Sequence, residues 1–203
     1  PDLAVGRLVE TPAQIQSQLA AYLSAGGRLE ASTGYVAGYD FVQDGAASVR
    51  TRLTASLSAA NGAPVSVGQP ANVNSWTAGE LLSDLGASAP AVTALLGHYA
   101  HTKLQTASGG DLMAAALAAA LPPFPAPQGS RLVFTMGCHS GLNVDDTGSY
   151  GPDASADLVQ ALTSGGAAYL ASTGYGYGDS VTVGLQERLL TLFAAELDGA
   201  VSL

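Results

Sequence analysis

The sequence predicts an α/β fold, a mostly parallel central sheet with helices on both faces. Three observations predict it. Short apolar runs of strand length alternate with helix-like segments along the whole chain, which demands crossover connections. The strongest of these runs, RLVFTM at 131–136, is apolar almost without interruption, as in a strand covered on both sides. The 203 residues are 47% hydrophobic and 11% charged, with 25 glycines, a composition that supports a large core joined by tight turns. The length suits one domain spanning 1–203.

The elements follow in order. Thr11-Pro12 reads as an N-cap with proline at the first helical position, and the helix runs to the stop at Gly26-Gly27. A strand is expected at 29–37, leaving through Gly38-Tyr39-Asp40-Phe41. Asp44 is the expected cap of the next helix, which ends at Asn61-Gly62. Residues 64–67 read as a short strand. Ser75-Trp76-Thr77-Ala78 opens a helix, and 91–96 is a strand ending at Gly97-His98. The run DLMAAALAAAL (111–121) reads as one helix before the proline-rich connection 122–127. Strand 131–136, helix 156–163, strand 167–172 and helix 181–197 complete the series. Ala31-Ser32-Thr33-Gly34-Tyr35 recurs as Ala171-Ser172-Thr173-Gly174-Tyr175, read as two similar strand-to-loop exits on one rim.

Charge narrows the function classes. The formal net charge is −9 with only 7 Lys and Arg, which argues against a nucleic-acid partner. No apolar run reaches the ~18 residues of a membrane span. The single cysteine excludes an internal disulfide and any multi-cysteine metal site. Pro1 in place of methionine, with no signal-like segment, reads as a processed or trimmed chain.

In parallel sheets covered by helices, ligands bind beyond the carboxyl ends of the strands. Asp40, His98, Cys138 and Tyr175 each follow an expected strand end. Cys138 sits in RLVFTMGCHSGLN, where Gly137 allows a tight turn before it and Gly141 lets the chain leave after it. A thiol there faces the crevice, and needs a base to become a nucleophile. Of the three histidines, His98 and His101 follow a strand expected beside that of Cys138, whereas His139 is its sequence neighbour. The three histidines match no zinc spacing, so no metal site is expected. An α/β-hydrolase elbow is excluded as well, because Met136 stands where its first glycine is required and Ser140 is one place late.

A strand ending in His followed by a strand ending in Gly-Cys resembles the peptidase clan of caspases, separases, clostripain and gingipains. The interval to Cys138 is 40 residues from His98 and 37 from His101. Four stretches look like gingipain-type proteins: GYDFVQDGA (38–46), LLGHYAHTKL (95–104), RLVFTMGCHSGLNVDD (131–146), and STGYGYGD (172–179) with the later QERLL (186–190). They occur in the expected order across most of the chain. The resemblance implies a caspase-like three-layer sandwich, within a longer secreted or cell-surface protein.

Carried over by position, the resemblance implies Cys138 as nucleophile and His98 or His101 as base, with His98 favoured because it lies nearer the strand end. Backbone N–H groups around Gly97, Gly137 and Cys138 would meet the oxyanion. Asp40 and Asp44, with Asp179 and Tyr175 at the matching exit, would line a substrate pocket for a basic residue before the scissile bond. The implied partner is a peptide or protein, with no cofactor required. The acidic loop 143–157 could take Ca²⁺, although its spacing is not that of an EF-hand. The clan places Gly directly after its His, whereas here Tyr99 and Thr102 follow the two histidines, and Ala100 replaces the acid of an H-x-D-H arrangement. These departures keep open a second reading, a caspase-like binding module without turnover.

Overall fold

The computed structural model describes residues 8–9, 11–29, 32–121, 130–144 and 156–198. Five parallel strands form the central sheet, in the order β2-β1-β3-β7-β8. These are β1 (Gly34–Gly38), β2 (Val67–Gly68), β3 (Val92–Leu96), β7 (Leu132–Met136) and β8 (Ala168–Leu170). In the centre the register is regular, with Gly38 opposite Leu96 and Leu96 opposite Met136. The mostly parallel α/β sheet expected from the sequence is therefore present.

Side-chain alternation divides the core into two layers. Val36, Val92, Ala94, Leu132 and Phe134 face one way, onto Val49, Leu53 and Leu57 of α2 (Gln43–Asn61) and Leu190 and Ala194 of α6 (Leu185–Ala195). Tyr35, Ala37, Leu95 and Val133 face the other way. They meet α3 (Ala78–Ser88), α4 (Ala114–Ala120) and α5 (Leu158–Ser164) through Leu81, Leu85, Leu117, Leu158 and Leu162. Strands β1, β3 and β7 are buried along their whole length, which is why they read as continuous apolar runs.

Helix α1 (Pro12–Ser24) starts at Thr11 with the expected cap, completed by Gln14 as a capping box. Thr77 and Glu80 form the same device on α3. Other expectations need correction. Asp44 is not the cap of α2, because a 3-10 turn over Asp40–Val42 precedes that helix and Val42 occupies the cap position. Asp44 instead lies in the first turn, where its Oδ1 accepts the Gly45 N–H at 2.8 Å.

The run at 111–121 is divided. Asp111–Met113 is strand β6, and only the alanine tract is helical. β6 closes a small antiparallel sheet with β4 (Tyr99–Ala100) and β5 (Lys103–Gln105). Lys103 Nζ pairs with Asp111 Oδ2 at 2.6 Å, and Leu104 and Leu112 are buried beneath. Helix α6 begins at Leu185, later than the sequence indicated. The Asp179 carboxylate instead caps the preceding turn, with Oδ1 accepting the N–H groups of Val181 and Thr182. The repeated ASTGY segment is not a pair of matching exits either. The copy ending at Tyr35 runs into β1, whereas the copy ending at Tyr175 follows β8, so they lie at opposite ends of the sheet.

Candidate functional site

The order β2-β1-β3 places the switch of chain direction between β1 and β3, where open parallel sheets form their crevice. Asp40 leaves β1 and His98 leaves β3 at that crevice. His98 Nε2 lies 3.4 Å from Asp40 Oδ2, with both side chains about half exposed (48% and 62%). The imidazole is supported by the rings of Phe41 and Tyr39, at centroid distances of 5.4 and 6.0 Å. Asp40 holds a left-handed backbone (φ 57), a conformation few residues other than Gly, Asn and Asp adopt readily. A depression of about 380 Å³ opens between this pair and Asn74, Gln105 and Thr106. A second, of about 390 Å³, lies on the other side of Asp40, against Phe41, Asp44 and Ser180.

Cys138 leaves β7, the next strand. It is partly buried, and its Sγ donates to Gly176 O at 3.8 Å. Among the described residues the thiol makes no hydrogen bond to His98 or His101. The His101 carbonyl accepts the Leu158 N–H at 2.8 Å, which ties this turn to the start of α5. His139 follows Cys138 with φ 58, so the chain turns sharply just after the thiol. Its N–H donates to Gly174 O and the Gly141 N–H to Ser172 O, fixing the turn against the segment after β8. Buried Ser140 adds a polar anchor that sequence reasoning did not assign. Its Oγ accepts from Thr135 Oγ1 and donates to Gly137 O, and its carbonyl accepts from Tyr169 OH.

The glycines at this edge answer to packing. A Cβ on Gly97 would lie 2.6 Å from the Tyr39 ring, and one on Gly137 2.1 Å from Tyr99 and 2.6 Å from Gly97 O. The Gly97 N–H donates to Met136 O at 3.0 Å as the last rung between β3 and β7. It is therefore engaged, and the oxyanion role expected of it is not open in this arrangement. The Cys138 N–H lies beyond that rung.

The segment 172–178 crosses the carboxyl ends of the strands. Gly176 packs on Gly137, and Gly178 on Phe41 and Met136, so closely that any Cβ would clash. Tyr175 and Tyr177 alternate with these glycines and point outward, 68% and 66% exposed. Tyr175 lies over His139, with ring centroids 4.8 Å apart. The alternation GYGYG at 174–178 was the sequence signal for this strap. Tyr35 and Tyr39, on β1 and at its exit, are buried instead. Tyr35 donates to Asp84 Oδ2 and Tyr39 packs edge-on against Trp76.

Three carboxylates complete the electrostatics. Glu187, fully buried, accepts the Asp179 N–H at 2.9 Å, and its carboxyl lies against Gly45. Burial pushes its pKa up, the Asp179 N–H opposes that, and the neighbouring Asp44 charge adds to the rise. Asp179 is held below the usual carboxylate range by the two N–H groups it accepts. Its carboxylate is thus committed to a turn. Of the acidic loop considered for Ca²⁺, residues 145–155 lie outside the described residues. Asp157 caps α5 and also accepts from Asn143 and Val144. Among the described residues, no three His, Cys, Asp or Glu side chains cluster as a metal site, and no helix is long and apolar enough to cross a membrane.

No protein family, curated protein or solved structure matches this chain.

Proposed function

We propose that the chain is a cysteine-type acyl-transfer domain, a peptidase of the caspase–gingipain kind, with Cys138 as nucleophile and His98 as base. The observation that carries this reading is positional. Cys138 and His98 leave adjacent central parallel strands at the same level, each two residues beyond the Leu96–Met136 pair. In the reaction, His98 takes the Cys138 proton and the thiolate adds to the scissile carbonyl carbon. The oxyanion is met by the Cys138 N–H. The intermediate collapses with cleavage of the C–N bond, and the imidazolium protonates the departing amine. Water, deprotonated by the same ring, then hydrolyses the thioester and restores the thiol. Engagement requires Sγ to leave Gly176 O and turn toward the second ring nitrogen of His98, while Nε2 stays on Asp40. Asp44, lining the depression on the side of Asp40 away from His98, favours a basic residue before the scissile bond.

A second reading is a binding module that keeps the architecture without turnover. It is favoured by the contacts themselves, since Sγ is bonded to Gly176 O and His98 to Asp40 rather than to each other. One experiment separates the readings. Iodoacetamide labelling of Cys138 and turnover of peptidyl-Arg, peptidyl-Lys and acyl-thioester reporters are measured in the native chain and in Cys138→Ala, His98→Ala and His101→Ala. Peptide turnover lost in Cys138→Ala and His98→Ala supports the peptidase. Turnover of the thioester alone points to a thioesterase, and loss only in His101→Ala reassigns the base. Slow labelling that no histidine variant alters, with no turnover, leaves the binding module.

A further inference from the structure

A further pocket lies beside the depressions described above, and Cys138 does not line it. On the far side of Gln43 and Ala47 is a pocket of about 200 Å³, lined by Val36, Gln43, Ala46, Arg50, Gln69 and Val73 among others. Arg50 is one of only 7 cationic side chains against 16 acidic ones. In so acidic a chain a partly buried guanidinium is expected to find a carboxylate, as Lys103 does at Asp111. Arg50 does not. Its Nε donates to Val67 O at 3.0 Å, and among the described residues no carboxylate pairs with it. That bond anchors the guanidinium while leaving its two terminal amino groups without a protein acceptor among the described residues.

The other walls fit a small polar guest. Ala46 and Ala47 keep the helix side shallow, and the two glutamine amides supply neutral donors and acceptors. One guanidinium balances one negative charge. No second cation lines the pocket, and Asp40 and Asp44 line the adjoining depression, so a phosphate dianion is disfavoured. We propose that the Arg50 pocket binds a single carboxylate, held by the planar guanidinium in the bidentate manner of Arg–carboxylate pairs. The carboxylate is an acidic side chain or the free C-terminus of a peptide lying along the rim past Gln43 and Asp40.

The test is titration of the full chain with N-acetyl-alanine (terminal carboxylate), N-acetyl-aspartate α-amide (side-chain carboxylate only), N-acetyl-alanine amide (neutral) and inorganic phosphate, followed by NMR or calorimetry. The expected result is binding of one or both carboxylates, none of the amide, and a loss of roughly tenfold or more in Arg50→Gln, the effect of removing a charge-assisted hydrogen bond. Whichever carboxylate binds tighter identifies the source. Ala47→Leu fills the pocket from an exposed helix position without removing the charge, and abolishes binding even where Arg50→Gln does not fold. Equal binding of the amide, preferential binding of phosphate, no binding by either carboxylate, or unchanged affinity in a folded Arg50→Gln overturns the proposal.

Discussion

Asp40 Oδ2 lies 3.4 Å from His98 Nε2, joining the exits of two adjacent strands across the sheet's switch point. Asp44 lines only the depression on the other side of Asp40. The two acids are therefore expected to separate kinetically. Asp40→Asn acts through the imidazole, and lowers kcat by roughly tenfold with KM little changed. Asp44→Asn acts on a basic substrate side chain, and raises KM for Arg and Lys peptides with kcat little changed. Because the Asp40–His98 pair is exposed, Asp40→Asn costs only about 0–1 kcal/mol of stability. A rise in KM for Asp40→Asn would return that residue to the pocket.

Ser140 carries the turn that presents the thiol. Its hydroxyl is fully buried between Thr135 Oγ1 at 3.0 Å and Gly137 O at 3.2 Å. Ser140→Ala leaves both partners short of a bond, at a cost of about 1–3 kcal/mol. The same loss loosens the turn, so Cys138 is expected to alkylate faster in this variant at temperatures where it remains folded. Chemical denaturation and iodoacetamide kinetics check the two halves. Unchanged stability would show that a water replaces the hydroxyl.

Much of this frame was readable from residue order. Strands β3 and β7 were legible because both faces are buried, leaving uninterrupted apolar runs between glycine turns. The small sheet was not. Its strands have two or three residues each, too few for a period, and the alanine tract after Met113 drew Asp111–Met113 into a helical reading. Asp44 misled for a related reason. The left-handed Asp40 and its 3-10 turn shift the start of α2 upstream, which sequence preference for a capping acid does not register. The convergence of Asp40, His98 and Cys138 on one edge followed from strand order. That Sγ bonds to Gly176 O depends on the strap at 172–178, whose glycines pack on Gly137, Met136 and Phe41, all distant in sequence.

Glu187 gives the fold a pH dependence of definite sign. Its carboxyl binds its proton more tightly in the folded chain than in the unfolded one. Between the ordinary glutamate value of 4.5 and the raised folded value, the folded state holds more protons. Its stabilising contribution is thus present below 4.5 and is lost as pH rises through the folded value. Glu187→Gln keeps the acceptor for the Asp179 N–H and removes the charge. It is expected to raise Tm at pH 7 and to flatten the stability profile on the acid side. A lower Tm for the glutamine variant at both pH 5 and pH 7 would mean that the ionised carboxylate is the stabilising form.

The close approach of the two strand exits makes opposite demands on glycines that look alike in sequence. Gly137 has Tyr99 and the Gly97 carbonyl where its Cβ would stand, at 2.1 and 2.6 Å. The Gly97 N–H forms the last rung of the β3–β7 ladder, which holds this stretch of backbone and its carbonyl in place. Gly137→Ala is therefore expected to cost about 3 kcal/mol, the upper end of overpacking penalties. Gly86 is exposed within α3 and has nothing within 4 Å of its Cβ position. Gly86→Ala there removes only chain entropy from the unfolded state, and should add about 0.5–1 kcal/mol. Urea unfolding of the two variants measures both, and Tyr99→Leu in the Gly137→Ala background should recover only part of the loss, since the Gly97 carbonyl stays in place. Equal effects at the two positions would mean that the exits of β3 and β7 are not packed as closely as described, and with them the juxtaposition of His98 and Cys138.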